Sequence, residues 1–187
     1  MGKVPRHGFV EGVFGDEAYV DKALPIKRGQ TISQPFTVAY QTQLLKLKPR
    51  MKILEIGTGS GYQAAILAAM GMKVFTVEIE KRLHIEAKER LADLELSAKF
   101  LLGDGTLGWP TFQPFERILV TAASPGVPTP LFSQLNQGGK MVIPVGDRSL
   151  QKMHVLTKLN RTEYKTETYH NFKFVPLRGK HGFIDEP

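Results

Sequence analysis

From Lys52 onward the chain alternates short apolar, β-branched runs with stripes of helical period, and on either side of that stretch the pattern changes. The run Ile53-Leu54 leads into a glycine-rich turn, and Tyr62–Met70 behind it is dense in strong helix formers. Lys73–Val77 reads as a second strand. Lys81–Leu94 places Leu83, Ala87, Leu91 and Leu94 on one stripe with charges opposite, a helix with one buried face. Ala98–Leu102 and Arg117–Thr121 read as further strands, followed by a helical piece over Pro130–Leu135, the pair Gly138-Gly139 and a strand over Lys140–Pro144. This alternation predicts an α/β fold: a doubly wound, Rossmann-like sheet, mostly parallel, with right-handed crossovers and helices on both faces. Met153–Lys158, Glu163–Tyr169 and Lys173–Pro176 then read as strands joined by polar turns, an antiparallel C-terminal edge to the same sheet. Residues 1–50 read as irregular, punctuated by Pro5, Gly8, Gly12, Gly15, Pro25 and Gly29, up to a helix over Thr37–Leu47 that Pro49 ends.

The turn after the first strand carries the chemistry. Glu55-Ile-Gly-Thr-Gly-Ser-Gly61 exposes backbone N–H groups at a helix start, and its glycines let a ligand approach the main chain. That is a site for the polar part of a nucleotide-like cofactor. A dinucleotide fingerprint needs Gly-x-Gly-x-x-Gly, and Tyr62 stands where its third glycine belongs. Gly57-x-Gly59-x-Gly61 led by Glu55 instead resembles the first motif of S-adenosylmethionine-dependent methyltransferases. Glu78, about 20 positions on at the tip of the next strand, can accept hydrogen bonds from both ribose hydroxyls. A third strand end, Gly103-Asp104-Gly105, holds a carboxylate that can reach the adenine amino group. The candidate cofactor set is Glu55, Gly57, Thr58, Gly59, Ser60, Gly61, Gln63, Glu78, Ile79, Gly103, Asp104 and Gly105.

Composition narrows the alternatives. With 187 residues the chain is expected to form one domain, burying close to ~70% of its unfolded surface. It has no cysteine, which excludes disulfides, thiolate metal sites and a cysteine nucleophile, and no metal site is expected. Its apolar stretches are far short of a membrane span, so the default is a cytoplasmic protein. The net charge of +7 keeps nucleic acid in view, but the basic residues are spread along the chain and suit a solvated surface better.

The most unusual stretch outside the glycine turn is Gly29-Gln-Thr-Ile-Ser-Gln-Pro35. Its side chains suit a shaped polar loop at a helix start, with Ser33 as N-cap and Pro35 in the first turn. Here the chain resembles the protein-L-isoaspartate O-methyltransferases. Matching stretches include Val4-Pro-Arg-His-Gly-Phe9, Gly29–Pro35, Leu54–Gln63, Gly103-Asp-Gly-x-x-Gly-Trp109, Val120-Thr-Ala-Ala123, Val142-Ile-Pro-Val-Gly146 and Phe174-Val-Pro-Leu177, from about residue 4 to Phe183. Members usually carry a further helical segment before Val-Pro-Arg-His, and this chain begins almost at that point. Tyr40-Gln41 departs from a position often held by Met, away from any expected contact.

The resemblance implies methyl transfer from S-adenosyl-L-methionine, leaving S-adenosyl-L-homocysteine, to the α-carboxylate of isoaspartyl residues in damaged proteins and peptides, begun repair then proceeding through a succinimide. It makes Ser33 the active-site serine, with Thr31, Ile32 and Gln34 lining the same pocket. Thr121, Ala122 and Ala123 would let a peptide backbone approach, and Val175-Pro176-Leu177 with the residues that follow would close the site. The implied layout is a substrate-side segment (1–50), a cofactor-binding βα core (51–146) and a C-terminal β region (147–187), acting as a monomer. His7 reads as structural, His84 as solvated and Trp109 as a wall residue. Two rivals stay open. A methyltransferase for RNA or a small molecule is disfavoured because Thr121-Ala-Ala-Ser-Pro125 stands where amino-group methylating enzymes place Asn/Asp-Pro-Pro-aromatic. The other is a non-catalytic cofactor-binding protein.

Overall fold

The computed structural model describes residues 2–184. A small hairpin, β1 (Leu24–Pro25) and β2 (Thr31–Ile32), precedes α1 (Pro35–Leu44). The alternating region follows as β3 (Lys52–Ile56), α2 (Tyr62–Ala69), β4 (Lys73–Glu78), α3 (Lys81–Asp93), β5 (Ala98–Leu102), β6 (Phe115–Val120), α4 (Thr129–Ser133) and β7 (Leu135–Gly146). Then come β8 (Gln151–Lys158) and β9 (Tyr164–Phe172). Seven strands form one sheet in the order β5-β4-β3-β6-β7-β8-β9. The first five are parallel; β8 and β9 add antiparallel, as the tail pattern predicts.

Central β3 is covered on both faces. Ile53 faces a core shared with Val38, Ala64, Leu67, Leu83 and Leu91, and Leu54 faces a second core with Phe75, Ile118 and Leu131. Successive side chains of a strand point to opposite faces, so an unbroken apolar run is what a doubly covered strand needs. The chain leaves β3 for β4 on one side and returns to β6 on the other. That reversal opens a crevice at the carboxyl ends of β3, β4 and β6, the place where open α/β sheets bind ligands.

Several local expectations need correction. α1 begins at Pro35, with Gln34 rather than Ser33 in the N-cap position and no capping side chain. The Phe36 N–H is instead taken by Asp21 Oδ1 at 2.8 Å, a partner from a segment with no recognisable helix signal. The helix stops at Leu44 rather than Leu47. Buried Arg117 donates to Leu45 O at 2.6 Å and Lys46 O at 3.3 Å, supplying partners that the end of a helix lacks. β7 includes Gly138-Gly139, across which its pairing with β6 shifts register: Phe115 opposes Leu135 and Arg117 opposes Lys140. Lys173–Pro176 does not form a third tail strand. It turns back to the carboxyl edge, where Pro176 bridges Ala123. His84 is not simply solvated: its ring packs edge-on to Phe100 and its Nδ1 is buried with no hydrogen-bond partner among the described residues, burial lowering its pKa. Trp109 is a wall residue, edge-on to Phe75 and Phe112.

Candidate active site

The glycines of the turn are required for three separate reasons. Gly57 has φ 92°, and a Cβ there would lie 2.6 Å from Thr121 Oγ1 on β6. A Cβ on Gly61 would press on Leu91 and Ala87 of α3 at 3.0 and 3.1 Å. Gly59, at φ 54°, meets only Ile26 Cδ1 at 3.7 Å, so its backbone faces the crevice. Two of the glycines let elements pack; the middle one leaves room for a ligand.

Glu78 at the end of β4 is 6% exposed and holds that turn from across the crevice. Its Oε2 accepts the Gly59 N–H at 2.8 Å and its Oε1 accepts the Glu80 N–H at 2.9 Å. Each oxygen keeps a lone pair, so the carboxylate can also accept from a vicinal diol. Ile56, Val77 and Ile79 supply apolar walls, and Gly57, Gly59, Gly105, Thr121 and Ala122 complete the crevice. Gly105 leaves no space for a side chain: a Cβ would sit 2.5 Å from Ile56 Cγ2. A nucleoside with a flat apolar base and free ribose hydroxyls fits this donor and acceptor set.

Two acids behave differently from Glu78. Asp104 accepts from the Thr106 N–H and hydroxyl at 2.8 and 2.7 Å through Oδ1, and from the Lys180 N–H at 2.8 Å through Oδ2. Burial pushes this carboxyl up, but those hydrogen bonds outweigh it and leave its pKa below the usual range. Asp104 thus ties the chain after Leu177 to the end of β5 and does not line the crevice, unlike its neighbour Gly105. Gly103 donates its N–H to Glu78 O at 2.8 Å. Glu55 is fully buried beneath the turn. Desolvation raises its pKa to about 8, against the pull of the Thr76 hydrogen bond, with the Glu78 charge adding to the rise. The neutral acid heads a chain: Thr76 Oγ1 donates to Glu55 Oε2 at 2.5 Å and lies 2.6 Å from Thr58 Oγ1 in the turn. Glu55 supports the turn without reaching its open face.

A second, more polar pocket adjoins the crevice. Thr31, Ile32 and Ser33 form one wall, Thr58, Ser60, Tyr62 and Gln63 the other, and Gln41 lies between them. Tyr62 and Gln63, the first residues of α2, line this pocket, and the Tyr62 N–H is accepted by Ser60 Oγ at 3.4 Å. Ser33 sits here half-buried. Gln63 donates to Thr42 Oγ1 at 3.0 Å, while its buried Oε1 has no partner among the described residues. The Thr121 hydroxyl is committed to Gly57 O at 2.7 Å and Ile56 O at 3.0 Å, stitching β3 to β6 at the crevice. Gln34 points away from this pocket and lines a neighbouring groove. Ala123 lines neither: it is fully buried, and its N–H and C=O pair with Val175 and Leu177 at 2.8 and 2.7 Å.

Three participants stand outside the predicted set of site residues. Gln41, set aside above as a departure, is 1% exposed, lines the polar pocket and donates to Val120 O at 3.1 Å. Its spacing of three from Val38 along α1 is the signal that places it on this face. Gln30 lines the crevice. Arg178, directly after Leu177 in the expected closing segment but not named as a contact, lines the crevice and pairs with Glu80 at its rim.

Comparison with known proteins decides the family. The chain matches the Protein-L-isoaspartate(D-aspartate) O-methyltransferase family over residues 1–182. It belongs to that family. A Cytophaga hutchinsonii protein-L-isoaspartate O-methyltransferase is 54% identical over 183 residues, covering 98% of this chain and 83% of the relative. The Dictyoglomus turgidum enzyme of the same name is 51% identical over 184 residues, with coverage of 98% and 83%. Among solved structures, one protein-L-isoaspartate O-methyltransferase superposes with a TM-score of 0.87 at 28% identity, covering 96% of this chain and 60% of that one. A Plasmodium falciparum protein described as a beta-aspartate methyltransferase, crystallised with S-adenosyl-L-homocysteine, gives 0.82 at 24% identity, with coverage of 94% and 87%. At that identity the second likeness speaks for the fold alone.

Proposed function

We propose that this chain transfers a methyl group from S-adenosyl-L-methionine to the free α-carboxylate of L-isoaspartyl residues in proteins and peptides, releasing S-adenosyl-L-homocysteine. Family membership supports the chemistry. The geometric observation that carries the residue roles is that the two pockets share Thr31, Gly57, Gly59 and Thr121. A ligand on the Gly59 backbone and an acceptor beside Ser33 would therefore meet across the same few atoms.

The cofactor would be held by the Gly59 backbone, the Glu78 carboxylate and the Ile56, Val77 and Ile79 walls, and it supplies an electrophilic methyl on a sulfonium. The chain's own contribution is positioning. An α-carboxyl group has a pKa near ~3.5, so the acceptor is anionic at neutral pH and needs no general base. Ser33 donates a hydrogen bond to one carboxylate oxygen and turns the other towards the methyl. The hydroxyl is not held as the N-cap of α1, since Gln34 occupies that position. The start of α2, whose Tyr62 and Gln63 line the pocket, adds the positive end of a helix dipole that favours the carboxylate's charge. Good orientation can lower such a barrier by up to ~7–11 kcal/mol. The amide nitrogen of the next residue then attacks the ester carbonyl, losing its proton, and methanol leaves to give a succinimide without further help from the protein.

We read residues 1–187 as one domain and a cytoplasmic monomer acting on protein rather than nucleic acid, with basic residues spread along the chain rather than gathered in one segment. Among the described residues, no helix is long and apolar enough to cross a membrane. The deciding assay offers one peptide in isoaspartyl and normal aspartyl forms. An aspartyl side chain sets its carboxylate one methylene further out, and misplacing a nucleophile by 1 Å costs on the order of 100-fold. Methylation confined to the isoaspartyl form is expected; comparable rates on both would refute the assignment.

A further inference from the structure

On its far side the Ser33 pocket adjoins a groove of about 660 Å³ to which the reading above assigns no role. Thr31 lines both pockets and the groove, and Val175 lines the groove and the crevice. An isoaspartyl residue lies within a chain, so polypeptide must leave the site on at least one side. The groove is continuous with the site and large enough to receive it.

Its walls are apolar and stiff. Phe36 comes from the first turn of α1, Phe172 from the end of β9, and Leu150 from the turn before β8. Phe36 is 51% exposed and Leu150 50%, and clustered exposure of large apolar side chains marks a binding surface. Tyr40 stacks on Phe36 at 5.5 Å and on Phe172 at 5.7 Å, tying α1 to β9. Phe174 is anchored by its N–H to Gln151 Oε1 at 2.8 Å. The charged or titratable residues of the lining are His170 and Lys173, with no carboxylate among them. Two carboxylates lie just outside the lining, Asp21 accepting the Phe36 N–H at 2.8 Å and Asp147 the Leu150 N–H at 2.9 Å.

Resting on the isoaspartyl activity proposed above, we infer that this groove takes the residues flanking the isoaspartate and selects peptides whose flank is apolar or aromatic over those whose flank is polar or cationic. An apolar side chain leaves water for ring faces that are already in place. A cationic one loses that gain and meets Lys173 on a chain whose net charge is +7.

The test uses labelled isoaspartyl peptides that differ only in two residues, set to Leu-Phe, Ser-Ser or Lys-Lys, first before and then after the isoaspartate. KM is measured for methyl transfer, and Kd separately by fluorescence anisotropy with S-adenosyl-L-homocysteine present. On one side only, Leu-Phe should bind about tenfold tighter than Ser-Ser, and Lys-Lys weaker than both, with the difference in KM rather than kcat. The double variant Phe36→Ser, Phe172→Ser should bring the Leu-Phe to Ser-Ser ratio towards one. Leu150→Ser, on the exposed wall and away from the stacked rings, should lower it partway. Equal Kd for the two flanks on both sides would overturn the proposal, as would an undiminished ratio in a variant that still melts cooperatively. A flank preference in Kd without methylation of any isoaspartyl peptide would remove the activity and leave the groove; methylation without preference would do the reverse.

Discussion

The cofactor crevice and the acceptor pocket are built in opposite ways. The crevice rests on β3, the glycine turn and β4, a contiguous stretch in which Gly59 N–H meets Glu78 Oε2 across only 19 positions. The acceptor pocket collects Thr31–Ser33, Gln41, the start of α2 and Thr121. The floor of the first is made by local backbone geometry, with Gln30 and Val175–Arg178 added at its sides, whereas the second depends throughout on packing of distant segments. Damage to the first should therefore appear as lost binding, and damage to the second as lost turnover or selectivity.

Gly59→Val attacks the crevice hardest. A β-branched residue at φ 54° is strained by on the order of 1–3 kcal/mol and its side chain enters the open face. Titration calorimetry should find S-adenosyl-L-homocysteine affinity lost by about 100-fold or more, with a cooperative melt retained. Unchanged affinity would remove the glycine turn from the cofactor site.

Ser33→Ala tests the other side. Losing one donor to the acceptor should cut methyl transfer by about 10- to 1,000-fold. Cofactor affinity should hold, and stability should stay within about 0.5 kcal/mol because Ser33 is not the N-cap. A loss of cofactor affinity as large as the loss of turnover would erase the division between the two regions.

Glu78→Ala sits between these. It removes an acceptor for charge-assisted hydrogen bonds, worth roughly 1.5–3 kcal/mol or about 10- to 150-fold in affinity. It also frees the Gly59 N–H. The kcat of cofactor-saturated enzyme should fall much less than affinity does.

Glu55→Gln is the mildest. The folded-state pKa of Glu55 lies at about 8, above its ordinary value of 4.5. The native state then holds a proton that the unfolded chain has released, so stability falls as pH rises between those values. Melting temperatures from pH 5 to 8 should decline less in the Gln variant, which keeps an acceptor for Thr76. The burial-lowered histidines, His84 and His154, act in the opposite direction and are common to both proteins. Identical pH profiles would mean that Glu55 is ionised in its buried place.

The parallel βα alternation, the turn with its three glycines and the acid at the end of β4 are all legible in the sequence, because each is a statement about neighbouring residues. A doubly covered strand must be apolar throughout, a turn that admits a ligand needs glycine, and a strand tip is set by where its run ends. The sequence alone also marks Gly29–Pro35 as special. What that segment does locally is decided only in three dimensions: Asp21, from an irregular segment, satisfies the first turn of α1, and Ser33 is left to the pocket. Gln41 and Tyr40 look like incidental departures along the chain. Folded, one lies buried beside the acceptor pocket and the other joins two walls of the groove. Asp104 and Ala123 go the other way, both engaged by the returning tail. Strand and turn identity follow from local propensity and spacing. A side chain's job depends on which distant group reaches it first, and for these residues only the tertiary contacts settle that.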